Sequence, residues 1–116
     1  VPTILTDTKP GMKVICRETF APVFSIMPYD TIDEAIASVN ASTYGLQAGV
    51  FTSSLEIAHA CAEKIQAGGI IINDGATFRM DNMPYGGVKD SGIGREGPAW
   101  AIRELTEEKL VVFNFS

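Results

Sequence analysis

The chain has 116 residues, the size of one domain with a modest core, and its 46% hydrophobic and 20% charged content lies outside the compositional range of disorder. A net charge of -5 and a pI near 4.7 argue against nucleic acid or an anionic membrane as partner, because both draw on clustered Lys and Arg. No apolar run approaches the roughly 18 residues that span a bilayer, no charged-then-apolar segment resembles a signal peptide, and a cytoplasmic protein is expected.

Val1-Pro2-Thr3 opens the chain without an initiator Met, which reads as a start inside a longer polypeptide. In the apolar run Lys13-Val14-Ile15-Cys16, Cys16 is expected to be a buried packing residue. Residues 23–29 are rich in β-branched and aromatic side chains and predict a short strand that stops at Pro28. Thr31-Ile32-Asp33-Glu34 is a capping box, and Ile32, Ala35, Ile36 and Val39 mark the apolar face of the helix that follows. Asn40 and the turn at Gly45 end it. Residues 46–52 predict a second strand. Ser53-Ser54-Leu55-Glu56 repeats the capping box for a second helix with Leu55, Ala58, Ala62 and Ile65 on one face and Gly68-Gly69 as its C-cap. Ile70-Ile71-Ile72 has the continuous apolar character of a parallel strand buried on both faces. The fold class predicted is α/β, a parallel βαβαβ sheet with right-handed crossovers and flanking helices.

Residues 73–97 show neither helical nor strand period. A loop of that length leaving the C-terminal end of the most buried strand is expected to be functional, since open α/β sheets bind ligands at that end. Pro98 suits the first turn of a helix carrying Trp100, Ala101, Ile102 and Leu105. Residues 110–115 then form a final strand, too apolar to remain a free edge. Two cysteines, Cys16 and Cys61, and a single surface His59 support neither a disulfide framework nor a metal site.

Two motifs carry chemistry. In Arg17-Glu18-Thr19-Phe20-Ala21-Pro22 an extended backbone would project Glu18 and Phe20 to the same side, where a carboxylate accepts from a diol and a ring faces a planar ligand. Far downstream stands Met83-Pro84-Tyr85-Gly86-Gly87-Val88-Lys89-Asp90-Ser91-Gly92-Ile93-Gly94-Arg95-Glu96-Gly97. The string Gly92-Ile93-Gly94-Arg95-Glu96-Gly97 fits a dinucleotide fingerprint only as letters, because no hydrophobic strand leads directly into it. Its glycines are expected to bring backbone segments close and to start the last helix, with Arg95 and Glu96 available for a structural ion pair.

Together these motifs resemble the C-terminal part of the aldehyde dehydrogenase catalytic domain. The resemblance implies that residues 1–116 are one late piece of an NAD(P)-dependent enzyme that oxidises an aldehyde to a carboxylic acid, with residues 109–116 as an oligomerisation strand. It implies Glu18 and Phe20 at the nicotinamide riboside of NAD or NADP, and Phe78 and Tyr85 along the aldehyde tunnel. Ala21 departs from the Gly that many members carry. Around Arg79 the chain resembles members acting on lactaldehyde, glyceraldehyde or semialdehydes, so Arg79 is expected either at an oxygen-bearing substrate tail or paired with Asp74 or Asp81. The family's nucleophilic Cys, general base and dinucleotide-binding half match nothing in this chain, so no catalytic residue is assigned and the isolated chain is expected to be inactive. Its partners would be the remainder of the parent protein, further copies of the enzyme and a small aldehyde. A non-catalytic α/β interaction module that associates through its apolar final strand is the alternative reading.

Overall fold

Ten short elements follow one another along residues 1–116 of the computed structural model: β1 (Thr3–Leu5), α1 (Lys13–Cys16), β2 (Val23–Ser25), α2 (Ile32–Asn40), β3 (Tyr44–Gly45), β4 (Gln47–Val50), α3 (Leu55–Lys64), β5 (Gly69–Ile72), β6 (Val88–Lys89) and α4 (Pro98–Leu105). The class is α/β with parallel strand pairs. β4 and β5 pair in parallel, Gln47 opposite Gly69 through Val50 opposite Ile72, and α3 is the crossover between them. β2 does not extend this pair. It lies parallel to β1, Thr3 opposite Val23, while β3 and β6 pair antiparallel, giving three two-stranded sheets. β1 is only three residues long, too short to show any period in the sequence, yet it satisfies one edge of β2.

The helices start where their caps dictate. Thr31 is extended, and its hydroxyl accepts from the Glu34 N–H at 3.2 Å. The Glu34 carboxylate reaches back one residue further than a capping box requires, accepting from the Asp30 N–H at 3.0 Å. α3 is capped by Ser54 rather than Ser53, its hydroxyl accepting from the Ile57 N–H at 3.3 Å. That helix ends at Lys64 because Ile65 turns extended, so Gly68-Gly69 is not its C-cap. α2 covers the stripe expected of it, Ile36 being buried between half-buried Ile32 and Ala35, and only Val39 is exposed; in α3 the stripe is rotated, with Cys61 buried and Leu55 and Ala62 exposed. Asn40 replaces Val39 on the inner side of α2. Its amide donates to the Lys64 carbonyl at 2.8 Å and accepts from the Gln66 N–H at 2.8 Å, tying the ends of both helices together. Lys64 adds an ion pair to Asp33 at 2.9 Å, and that hydrogen bond with its attendant charge attraction holds the Lys64 ammonium above the usual lysine range.

Cys16 is exposed, not buried. Residues 13–16 coil into one helical turn in which Val14 and Ile15 face inward and Cys16 faces out. β5 is only half-buried, with Ile72 38% exposed, because a two-stranded parallel pair covers neither of its faces fully. The whole chain exposes 9364 Å², against about 6,100 Å² for a compact monomer of this mass. Its radius of gyration of 19.2 Å likewise exceeds the roughly 13 Å of a compact chain. The C-terminal segment contributes to this excess. Residues 106–116 form no helix or strand, and Leu110, Val112, Phe113 and Phe115 are all at least three-quarters exposed. The Phe113 and Phe115 rings stack with centroids 6.0 Å apart, the same-side spacing of an extended backbone. A strand needs a neighbour to bond with, and no backbone-to-backbone hydrogen bond ties this segment to the rest of the chain. No helix is long and apolar enough to cross a membrane.

Candidate functional site

The long loop begins at a pinned point. Asn73 takes a left-handed φ of 61°, which Asn tolerates better than most residues, and its side-chain oxygen accepts from the Thr52 N–H at 2.8 Å. The C-terminal ends of β4 and β5 are thereby locked together, and the chain leaves them over the edge of the sheet. Gln47 in β4 donates to the Phe78 carbonyl at 3.1 Å and holds the loop down. The segment is not structureless throughout: it contains β6, and Tyr85 and Glu96 form an antiparallel bridge with N–H to O distances of 3.0 and 2.6 Å.

Close backbone packing shapes this loop, and glycine permits it. A β-carbon on Gly68 would collide with the Gly86 carbonyl, and one on Gly86 would lie 2.6 Å from the Gly94 carbonyl oxygen. Arg95 completes the arrangement by donating to the carbonyls of Gly87 at 3.0 Å and Gly94 at 2.7 Å. Gly97 precedes α4 with φ of 121° and Pro98 opens the helix, as expected from the sequence. Gly92 follows the short antiparallel β6 and a turn, which is not the strand-to-helix geometry of a dinucleotide fingerprint.

Arg79 and Tyr85 come together. The Arg79 guanidinium carbon lies 4.4 Å from the Tyr85 ring centroid, within cation–π range. Nη2 of the same side chain donates to Glu96 at 3.1 Å, so the partner of Arg79 is Glu96 and neither Asp74 nor Asp81. An open recess of 390 Å³ beside them is lined by Leu46, Gln47, Ala76, Thr77, Arg79 and Tyr85. Its lining offers a guanidinium, a hydroxyl and an amide together with aliphatic carbon and an aromatic ring. That combination suits a short molecule with an oxygen-rich tail. Phe78 is 39% exposed and does not line this recess.

Glu18 and Phe20 lie on the segment between α1 and β2. Both are exposed, Phe20 at 94%, and the Glu18 carboxylate has no hydrogen-bond partner. The backbone here is bent rather than extended, with Ala21 N–H bonded to the Thr19 carbonyl and Val23 N–H to the Ala21 carbonyl, both at 2.8 Å. A free carboxylate and a bare ring two residues apart fit a ribose diol and a planar heterocycle in chemistry. The recess beside Tyr85 includes neither of them. Sequence reasoning missed Leu46 and Gln47, because a Leu and a Gln at the head of a strand carry no signal of a site.

The sequence model of the aldehyde dehydrogenase family matches residues 1–111. The chain belongs to the aldehyde dehydrogenase family. It is 54% identical over 114 residues to 3-sulfolactaldehyde dehydrogenase of Priestia aryabhattai, covering 98% of this chain and 24% of that protein. Its fold superposes with a TM-score of 0.88 on aldehyde dehydrogenase 21 from Physcomitrella patens in complex with the product succinate, at 40% identity over 91% of this chain and 22% of that one. It superposes at 0.84 on glyceraldehyde-3-phosphate dehydrogenase GapN from Methanocaldococcus jannaschii complexed with NADP, at 42% identity over 90% and 22%. The chain thus spans about a quarter of the length of the aldehyde dehydrogenases it matches. The surface left open on β5 and around the loop is consistent with packing against further polypeptide.

Proposed function

We propose that this chain forms one wall of the active site of an NAD(P)-dependent aldehyde dehydrogenase acting on a short anionic aldehyde. The observation that carries the reading is the Arg79 guanidinium in an otherwise uncharged recess, in a chain whose similar proteins include a 3-sulfolactaldehyde dehydrogenase, a glyceraldehyde-3-phosphate dehydrogenase and an aldehyde dehydrogenase in complex with the product succinate. Arg79 binds the anionic tail through its planar fork of donors, and Tyr85 holds that fork in place from one side. Tyr85 shields the aldehyde chain from water within the recess, and Phe78, outside it, shapes the tunnel that leads there.

Glu18 and Phe20 hold the nicotinamide riboside of NAD or NADP, the carboxylate accepting from the ribose hydroxyls and the ring limiting the tilt of the base. The nicotinamide, when bound, accepts a hydride from the substrate carbon. Neither thiol of this chain fits the nucleophile of such a reaction. Cys61 is 1% exposed, and Cys16 is exposed in a short helical turn with its thiol 3.8 Å from the Gly11 carbonyl and no base beside it. The attacking sulfur and the general base therefore belong to polypeptide outside residues 1–116, and the 116-residue chain by itself is inactive. Residues 109–116 pair with a strand of a neighbouring copy, which gives their apolar side chains a covered place.

Two measurements test this. Aldehyde-dependent reduction of NAD or NADP by the purified 116-residue chain is expected to stay at blank; any rate above blank overturns the assignment of the chemistry to other polypeptide. In the enzyme containing this chain, Arg79→Leu is expected to remove the preference for an anionic over a neutral aldehyde of equal length. Equal preference before and after would eliminate Arg79 as the tail contact.

A further inference from the structure

Arg79 is the only formally charged residue lining its recess, and its charge is not free. Glu96 neutralises it at 3.1 Å from outside that lining. The geometry of the three residues is unequal. Glu96 is fixed through its backbone, bridged to Tyr85 by two N–H to carbonyl bonds, while its side chain is 67% exposed and can reach water by rotation about its own torsions. The guanidinium, by contrast, is held by a second contact that needs no anion, the Tyr85 ring at 4.4 Å. Releasing the carboxylate would leave the guanidinium stacked on the ring and facing the recess. The ion pair is the exchangeable part of the cluster and the stacked pair is the fixed part.

We propose that Glu96 is a specificity residue: its carboxylate is the resident counter-ion of Arg79, and an anionic aldehyde binds by taking its place on the guanidinium. This rests on the reading of Arg79 given above. The contact through which Glu96 acts is Arg79, so its role is that of a positioning residue that sets how strongly the guanidinium attracts an anion. The physical consequence is a tuned affinity. A neutral aldehyde meets a recess of no net charge, whereas an anionic one must compete with a tethered carboxylate, and this keeps its binding reversible.

The test compares sulfoacetaldehyde with propanal in the enzyme containing this chain. Glu96→Gln keeps an acceptor for Nη2 but removes the charge, and it is expected to raise the ratio of kcat/KM for the anionic over the neutral aldehyde by about 1.5-fold to fivefold, the scale of one partly exposed ion pair. The gain should lie in KM rather than kcat, and it should shrink as ionic strength rises. In an Arg79→Leu background the same substitution should leave the ratio unmoved. Should Glu96→Gln prove unstable, Glu96→Ala decides the matter with the same expected direction. An unchanged or lowered ratio in the charge-removing variant, with Arg79→Leu still abolishing the preference, overturns the role of Glu96 while leaving that of Arg79 standing. If Arg79→Leu has no effect on the preference, both readings fall.

Discussion

Gly68 and Gly86 meet backbone to backbone, with the Gly86 carbonyl oxygen occupying the space where a β-carbon of residue 68 would stand. This contact joins the connection before β5 to the glycine pair that follows Tyr85, and so it fixes how far the loop stands from the sheet. Gly68→Ala is expected to destabilise the fold by about 2 to 4 kcal/mol, because the clash is with backbone rather than with a flexible side chain. Gly75→Ala is the control: a β-carbon there meets nothing closer than 3.7 Å, and its effect should stay within about 0.5 kcal/mol. Equal melting temperatures for the two variants would refute the packing role.

Asn40 supplies both a donor and an acceptor to the end of α3, at 2.8 Å each. Asn40→Ala removes two hydrogen bonds and leaves the Lys64 carbonyl and Gln66 N–H to water, at a cost of about 1 to 2 kcal/mol. Asn40→Asp, which keeps only the acceptor, should fall between. Denaturant midpoints with unchanged slopes measure this directly.

The Lys64–Asp33 pair has a defined pH window. Lys64 is raised, first through its hydrogen bond to Asp33 and then through charge attraction. A raised lysine holds its proton more tightly in the folded state, so the contribution is complete below the unfolded lysine value and lost as pH climbs through the folded one. The α2–α3 tie should therefore be constant across neutral pH and weaken as the solution becomes alkaline enough to deprotonate Lys64. An NMR titration of the Lys64 side chain should give a midpoint above that of free lysine, falling in Asp33→Asn; an identical midpoint in the variant would sever the link. Both side chains are well exposed, so little stability rides on it.

The exposed C-terminal segment predicts self-association of the enzyme that contains it. Val112→Asp places a charge in the middle of an apolar strand, and burying that charge in an intermolecular sheet is unfavourable. Light scattering should report a smaller assembly for the variant than for the unaltered protein. Retention of the full assembly would remove residues 109–116 from the interface.

Local rules carried over wherever one residue decides the outcome. Thr31 caps α2, Pro98 opens α4 after a glycine of positive φ, and the β4–α3–β5 unit follows from an apolar helix face between two apolar runs. The cap of α3 was legible to within one residue, since Ser53 and Ser54 are equally good caps and only the turn geometry chooses between them. Nothing local marks β1, β3 or β6, which are two or three residues long and exist only because a partner strand lies alongside.

The site divides in the same way. Of the five residues proposed from motif and resemblance, Arg79 and Tyr85 line the recess, whereas Glu18, Phe20 and Phe78 lie outside it. That Arg79 stacks on Tyr85 and bonds Glu96 rather than Asp74 or Asp81 was decided by the tertiary structure. Sequence distance favours the nearer carboxylates, but the Tyr85–Glu96 bridge folds a residue 17 positions away into reach. The amino-acid sequence determined which groups are present and where helices begin; only the folded backbone determined which charges face each other, since that depends on strand pairing and glycine contacts between segments far apart in the chain.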